Sequence, residues 1–381
     1  MTTLQEVINK FKEYLYLKDT KMLETILAAI LSNQIKGTPI WIIFCGASGD
    51  AKSTQLLSIL QIDKVLMLDQ LTKNTLASGK PNVVDVGNYL QESSHIILIP
   101  DLACISAKYK DDRKEIFASM RNLYDGFIRK HTGSGKFIEY NNCHVSLIAG
   151  ATHTLKKEYL IHQQLGSREL IFDTDAMPQD NQSKMEKAWQ NESYEREMKA
   201  DLQKVVKDFI KNVELKDVEI SDDIQRFLMK QANRLSILRS VADYNQFSDE
   251  LDNPVYPEVP TRLIKQFKRL WKCLKSLDDN YSDERCKEII EHIVKSSGDT
   301  NRQFILNQMI MNPNTAYSVN EMKYIAKIGY RATKRELEVL WNIGLVDKEI
   351  IEIKGTKAYD KVSYTLNKDR CRFMLGEPIQ I

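Results

Sequence analysis

The sequence has little of what would mark a secreted, membrane-embedded or strongly basic protein. Its six cysteines are scattered, with no Cys-x-x-Cys pair among them. That argues against a zinc site or a disulfide framework and fits a reducing compartment. No apolar run reaches the roughly 20 residues that cross a bilayer, and Met1 to Glu6 carry neither the basic nor the apolar region of a leader. The expectation is a cytoplasmic protein with no membrane contact. Charge is almost balanced at a net +2, so a nucleic-acid surface would have to be a local patch. Internal repeats and low-complexity tracts are absent. The 381 residues, 43% hydrophobic and 28% charged, suffice for two or three domains with a sizeable core.

The most informative stretch is residues 40–57. An unbroken apolar run, Ile40-Trp41-Ile42-Ile43-Phe44-Cys45, reads as a strand buried on both faces. Gly46-Ala47-Ser48-Gly49-Asp50-Ala51-Lys52-Ser53-Thr54 follows and leads into a helical pattern. A phosphate-binding loop is written G-x-x-x-x-G-K-[ST]. Gly46, Lys52 and Ser53 fit it, and Ala51 stands where the second glycine belongs. In that chemistry the backbone N–H groups of 46–54 cradle a triphosphate, Lys52 reaches the β- and γ-phosphates, and the Ser53 hydroxyl ligates Mg²⁺. The expected cofactors are therefore ATP and Mg²⁺.

A second buried strand, residues 95–100, ends in Asp101. This is the Walker B pattern, in which a strand delivers a carboxylate beside the metal held by Ser53. The residue after it is Leu102 rather than an acid. Asp111, Asp112, Glu115 and Asp125 lie nearby, and the sequence does not choose a catalytic base among them. A third apolar strand, 144–151, ends at Thr152, and Arg168 stands just before a fourth. Residues 127–140 read as a β-hairpin with Gly133-Ser134-Gly135 at its tip, and Arg129, Lys130, His131 and Lys136 cluster around it. Such a tip can ride on a phosphate backbone without reading base sequence.

Helical patterns occupy 4–33, 111–124, 195–212, 221–247 and 258–278, while residues 175–195 lack periodicity and read as an exposed loop or domain boundary. Arg262 opens the helix at 261 against the helix dipole. Further helices near 302–311, 319–328 and 331–343, followed by a hairpin over 345–366, read as a winged helix-turn-helix. Arg331, Lys334 and Arg335 would lie on its recognition helix, and Lys354 and Lys357 on its wing.

In this order the pieces resemble an AAA+ ATPase. More narrowly, they resemble the MCM-like helicase family carried by phages, plasmids and genomic islands. The blocks that carry the likeness span roughly residues 20–275. They are Pro39-Ile40-Trp41, Leu71-Thr72-Lys73-Asn74-Thr75-Leu76-Ala77-Ser78-Gly79, Leu123-Tyr124-Asp125-Gly126, Leu147-Ile148-Ala149-Gly150-Ala151-Thr152, Leu165-Gly166-Ser167-Arg168 and Pro260-Thr261-Arg262-Leu263. The resemblance implies an α/β P-loop core over 1–175, a helical lid over 176–298 and a winged-helix domain over 299–381. It implies Thr152 as sensor 1, Arg262 as sensor 2 and Arg168 as an arginine finger acting on a neighbouring subunit's ATP, hence a homo-hexameric ring on DNA. Two readings stay open: a DNA helicase or translocase, or a nucleotide-switched DNA-binding initiator with little turnover, which Ala51 and Leu102 favour. A small-molecule kinase would have no use for the lid or the winged helix.

Overall fold

Residues 41–45 are buried without exception, and that burial sets the architecture. In the computed structural model, which describes residues 2–80, 84–91, 93–132, 135–153, 168–177, 180–245, 250–351 and 361–375, they form strand β1 (Trp41–Cys45) of a five-stranded sheet. The other strands are β2 (Val65–Met67), β3 (Ser94–Ile99), β6 (His144–Ala151) and β7 (Leu170–Asp173), in the order β2-β3-β6-β1-β7. Every pairing in it is parallel. A parallel sheet must be covered on both faces, and side chains alternate between them. Trp41, Ile43, Cys45, Ile97, Ile99, Val145, Leu147 and Ile171 join one core with the helix Lys110–Tyr124. Phe44 and Phe172 pack against each other with ring centroids 5.4 Å apart. Each such side chain stabilises by about 1.5–3 kcal/mol. Trp41 remains satisfied when buried because its indole N–H donates to the Val145 carbonyl at 2.7 Å.

Two compact units are present, the first within 1–159, 167–220 and 264–293, the second within 221–263 and 294–381. In the first, helix α1 (Leu4–Tyr14) opens with a capping box between Thr3 and Glu6, and α2 (Lys21–Ser32) is buried almost along its whole length. Asn33 follows and donates to the His95 carbonyl and Ser146. A separate two-stranded ribbon, β4 (Ile128–His131) with β5 (Phe137–Tyr140), forms the expected hairpin. In the second unit, helices Thr300–Met311, Val319–Ala326 and Tyr330–Asn342 accompany a three-stranded sheet, β8 (Tyr317–Ser318), β10 (Lys361–Leu366) and β9 (Val346–Ile351). Arg302 is buried there, ion-paired to Glu336 at 2.8 Å and donating to the carbonyls of Ile237 and Ser240. Among the described residues no helix is long and apolar enough to cross a membrane.

Two expectations are corrected, the first being the helix expected over 221–247, which ends at Leu238. Residues 181–191, taken from the sequence as aperiodic loop, form a helix. Asp180 caps it by accepting the Ser183 N–H at 3.1 Å. None of its residues is buried, so it has no apolar stripe for a periodicity argument to find.

Candidate functional site

The sheet registers bring four strand ends to one edge. Cys45 lies level with Ala151 and with Asp173, so Gly46, Thr152 and Thr174 leave the sheet together. Ile99 lies level with Ala149, which sets Asp101 beside Ala151. With β6 between β3 and β1, Asp101 stands two strand spacings, about 10 Å, from Gly46. The chain order reverses around β1, because β2, β3 and β6 lie on one side of it and β7 on the other. The carboxyl edge at such a reversal is where ligands bind in open α/β sheets.

The loop itself is built on three special positions. A Cβ on Gly46 would come within 1.8 Å of the Thr174 hydroxyl, so only glycine fits there. Gly49 has φ +82° and Ala51 φ +53°. The missing glycine therefore falls at a residue that does adopt the left-handed conformation, and alanine is held in it. Ala47, Ser48, Gly49 and Ser53 are exposed. Lys52 is buried and its ammonium folds back to donate to the carbonyls of Gly46 at 3.0 Å and Ala47 at 2.6 Å. Asp50 pairs with Lys184 of helix Asn181–Asn191. Beside the loop a cavity of about 330 Å³ is lined by Tyr14, Tyr16, Gly49, Ala51, Thr54 and Met198, among others.

Asp101 is exposed and accepts the Ala103 N–H at 2.9 Å. Ser53 and Asp101 are the residues that would hold a Mg²⁺ ion, and both are open on the same edge as the loop. Leu102 is 1% exposed and its N–H donates to the Gly150 carbonyl, so its side chain belongs to the core. Thr152 is half-buried.

Two residues not singled out from the sequence lie at the same edge. The Asp175 carboxylate accepts the Ala47 N–H at 3.1 and 3.2 Å and a hydrogen bond from His153 Nε2 at 2.5 Å. Side-chain nitrogen and oxygen atoms of His153, Asp173 and Asp175 lie within 4.8 Å of one another. Partial burial works to raise the Asp175 carboxyl, but the Ala47 N–H, His153 and the charge of Lys52 outweigh it and hold the group below the usual carboxylate range. The available signal was positional. Both residues stand within two positions of the carboxyl end of a buried strand.

Arg168 sits two residues before β7, at the opposite, amino edge of the sheet. Its guanidinium is 3.0 Å from the Asp125 carboxylate, over the Tyr124 ring, while Gln266 donates to its carbonyl. Tyr124 and Asp125 also line an amino-edge cavity of about 810 Å³. Asp112 pairs with Lys73 at 3.1 Å. Arg262 lies in the second unit, 3.9 Å from Glu258.

On the hairpin, Arg129 pairs across the strands with Glu139 at 2.6 Å, and Lys130 donates to the Lys73 carbonyl and the Asn74 side chain. His131 stacks on Phe137, and both these residues and Lys136 are exposed. Gly133 and Ser134 lie outside the described residues, as do Lys354 and Lys357. In the second unit Arg331 is exposed, Lys334 half-buried, and Arg335 lies over the Tyr244 ring at 4.5 Å.

A scan against protein-family models finds no match to this chain, and a search of curated proteins finds none either.

Proposed function

We propose that the chain is an ATP-dependent DNA motor of the AAA+ type, MCM-like, that assembles as a ring and acts in replication of a phage or other mobile element. The observation that carries this reading is the loop geometry. A fully buried central strand delivers a glycine that nothing larger could replace, then two left-handed positions, then Lys52 and Ser53, with Asp101 two strands away on the same edge. Each feature has a use if the loop wraps the phosphates of ATP. Lys52 exchanges two carbonyls for phosphate oxygens, and Ser53 and Asp101 would hold Mg²⁺, which neutralises charge on the β- and γ-phosphates.

The remaining pieces fit the same reading. The three short helices followed by β9 and β10 have the element order of a winged helix-turn-helix, in which Tyr330–Asn342 would be the recognition helix. The β4–β5 hairpin presents His131 and Lys136 to a DNA backbone. Arg168, remote from its own loop, suits a finger for the next subunit's ATP.

The buried Leu102 favours a second reading, a nucleotide-switched DNA-binding initiator that holds ATP with little turnover. Phosphate release from ATP, with and without single-stranded DNA, separates the two for wild type and Lys52→Ala. Release that DNA stimulates and Lys52→Ala abolishes marks a motor. ATP retention without release marks the switch. A wild type that retains no ATP defeats both.

A further inference from the structure

Leu102 leaves open where a water-activating base would come from. Of the acids near the second strand, Asp112 pairs with Lys73 and Asp125 holds Arg168 at the far edge. At the loop edge, one pair has the form of a general base with its orienting partner. His153 Nε2 donates to the Asp175 carboxylate, so the lone pair of a neutral ring lies on Nδ1.

The pair's placement is specific. β6 and β7 are the two neighbours of β1, and His153 and Asp175 each stand one residue beyond the position level with Gly46. Their hydrogen bond therefore spans the exit of β1, across about two strand spacings, or 10 Å, between the parent strands. Asp175 also fixes the Ala47 N–H and feels the charge of Lys52. The His153 side chain remains 45% exposed, open to water.

Building on the nucleotide-hydrolysing reading above, we propose that His153 is the base that takes the proton of the attacking water, and that Asp175 positions its ring. The water oxygen bonds to the γ-phosphorus as its proton passes to His153 Nδ1. The bond from the γ-phosphorus to the bridging oxygen breaks, with its electron pair going to the β-phosphate of ADP. The proton then leaves the imidazole for solvent, giving ADP and inorganic phosphate. Among the described residues, the charged groups close to the pair are Asp173 from the end of β7 and Lys52 from the loop.

The test compares wild type with His153→Gln and His153→Asn, using the full chain, by ATP titration calorimetry and by steady-state phosphate release between pH 5 and 9. The expected result is a kcat lowered about 100-fold in both variants, ATP Kd changed less than about twofold, and a pH profile of kcat that differs in shape from that of wild type. Asp175→Asn lowers kcat by about tenfold, and Asp175→Glu restores part of it. Unchanged kcat in the His153 variants overturns the proposal. So does a parallel loss of ATP affinity, which would make the pair a brace for the loop. Wild type that binds ATP and releases no phosphate overturns it while leaving a nucleotide switch standing. Wild type that binds no ATP overturns the reading beneath it.

Discussion

Ala51 shows how much of the loop after β1 is backbone conformation. It holds φ +53° and ψ +10°, a region that costs an L-residue with a Cβ roughly 1–2 kcal/mol. Glycine would remove that cost and lose about 0.5–1 kcal/mol more entropy on folding. Ala51→Gly is therefore expected to stabilise the protein by about 0.5–1 kcal/mol, read from the urea midpoint at constant m-value. A lower midpoint would mean the loop stores no strain at this residue. Gly46 is the opposite case. The motif names it, but the reason it must be glycine is Thr174, some 130 positions away in sequence, whose hydroxyl occupies the space a Cβ would need. The pairing of His153 with Asp175 was invisible in the sequence for the same reason. It exists only because β6 and β7 flank β1, and no local pattern reports which strands become neighbours.

Elements with a buried face were the legible ones. β1, β3, β6 and β7 announce themselves as apolar runs because both faces of a parallel sheet are covered. The hairpin shows as two short runs around a glycine-rich tip. Helix Asn181–Asn191 did not show, since its Trp189 is 82% exposed and none of its residues is buried.

Burial of polar groups is equally silent in sequence. Glu24 of α2 is ion-paired to Arg285 at 2.7 Å and hydrogen-bonded to Thr20 and Tyr281. Burial alone would raise its carboxyl, but those partners outweigh it and hold it below its ordinary value. A depressed carboxylate contributes stability that is present above the unfolded value, about 4.3. The contribution is lost as pH falls through the lower folded value. Glu24→Gln should cost about 3 kcal/mol at neutral pH, as for breaking one side of a buried pair, and should flatten the stability profile below about pH 5. Denaturant titrations from pH 7 to 3 measure both. An unchanged acid limb would assign acid unfolding to other carboxylates.

The hairpin offers an element-scale test of the DNA reading. Lys136 is exposed, whereas Lys130 is occupied in docking the ribbon on the loop at residues 73–74. Lys136→Ala should lower the slope of log K against log salt for single-stranded DNA by about 0.7 without moving the melting temperature. Lys130→Ala should lower the melting temperature as well. A salt slope unaffected by Lys136→Ala would remove the hairpin from the DNA path.

At the scale of the molecule, the decisive geometry is the distance between the two ends of the sheet. The loop, Asp101 and Thr152 lie at the carboxyl edge. Arg168 lies before β7 at the amino edge, held by Asp125 and Tyr124. One copy cannot bring Arg168 to its own loop without dismantling β7, so a role for it in hydrolysis requires a second copy in a head-to-tail arrangement. Such an arrangement is heterologous and gives a ring when the rotation between copies closes, and it makes a prediction that a monomer cannot imitate. Arg168→Ala alone should retain ATP and lose phosphate release by about 10³-fold, and Lys52→Ala alone should lose both. Mixed in equal amounts and allowed to exchange subunits, the two inactive variants should recover activity. Random assembly gives about one interface in four an intact loop from one subunit and an intact arginine from the next, so about a quarter of wild-type phosphate release is expected. A mixture as inactive as its components would show that Arg168 serves its own subunit's fold through Asp125. The amino edge would then be a structural face, and the ring would have to be abandoned with it.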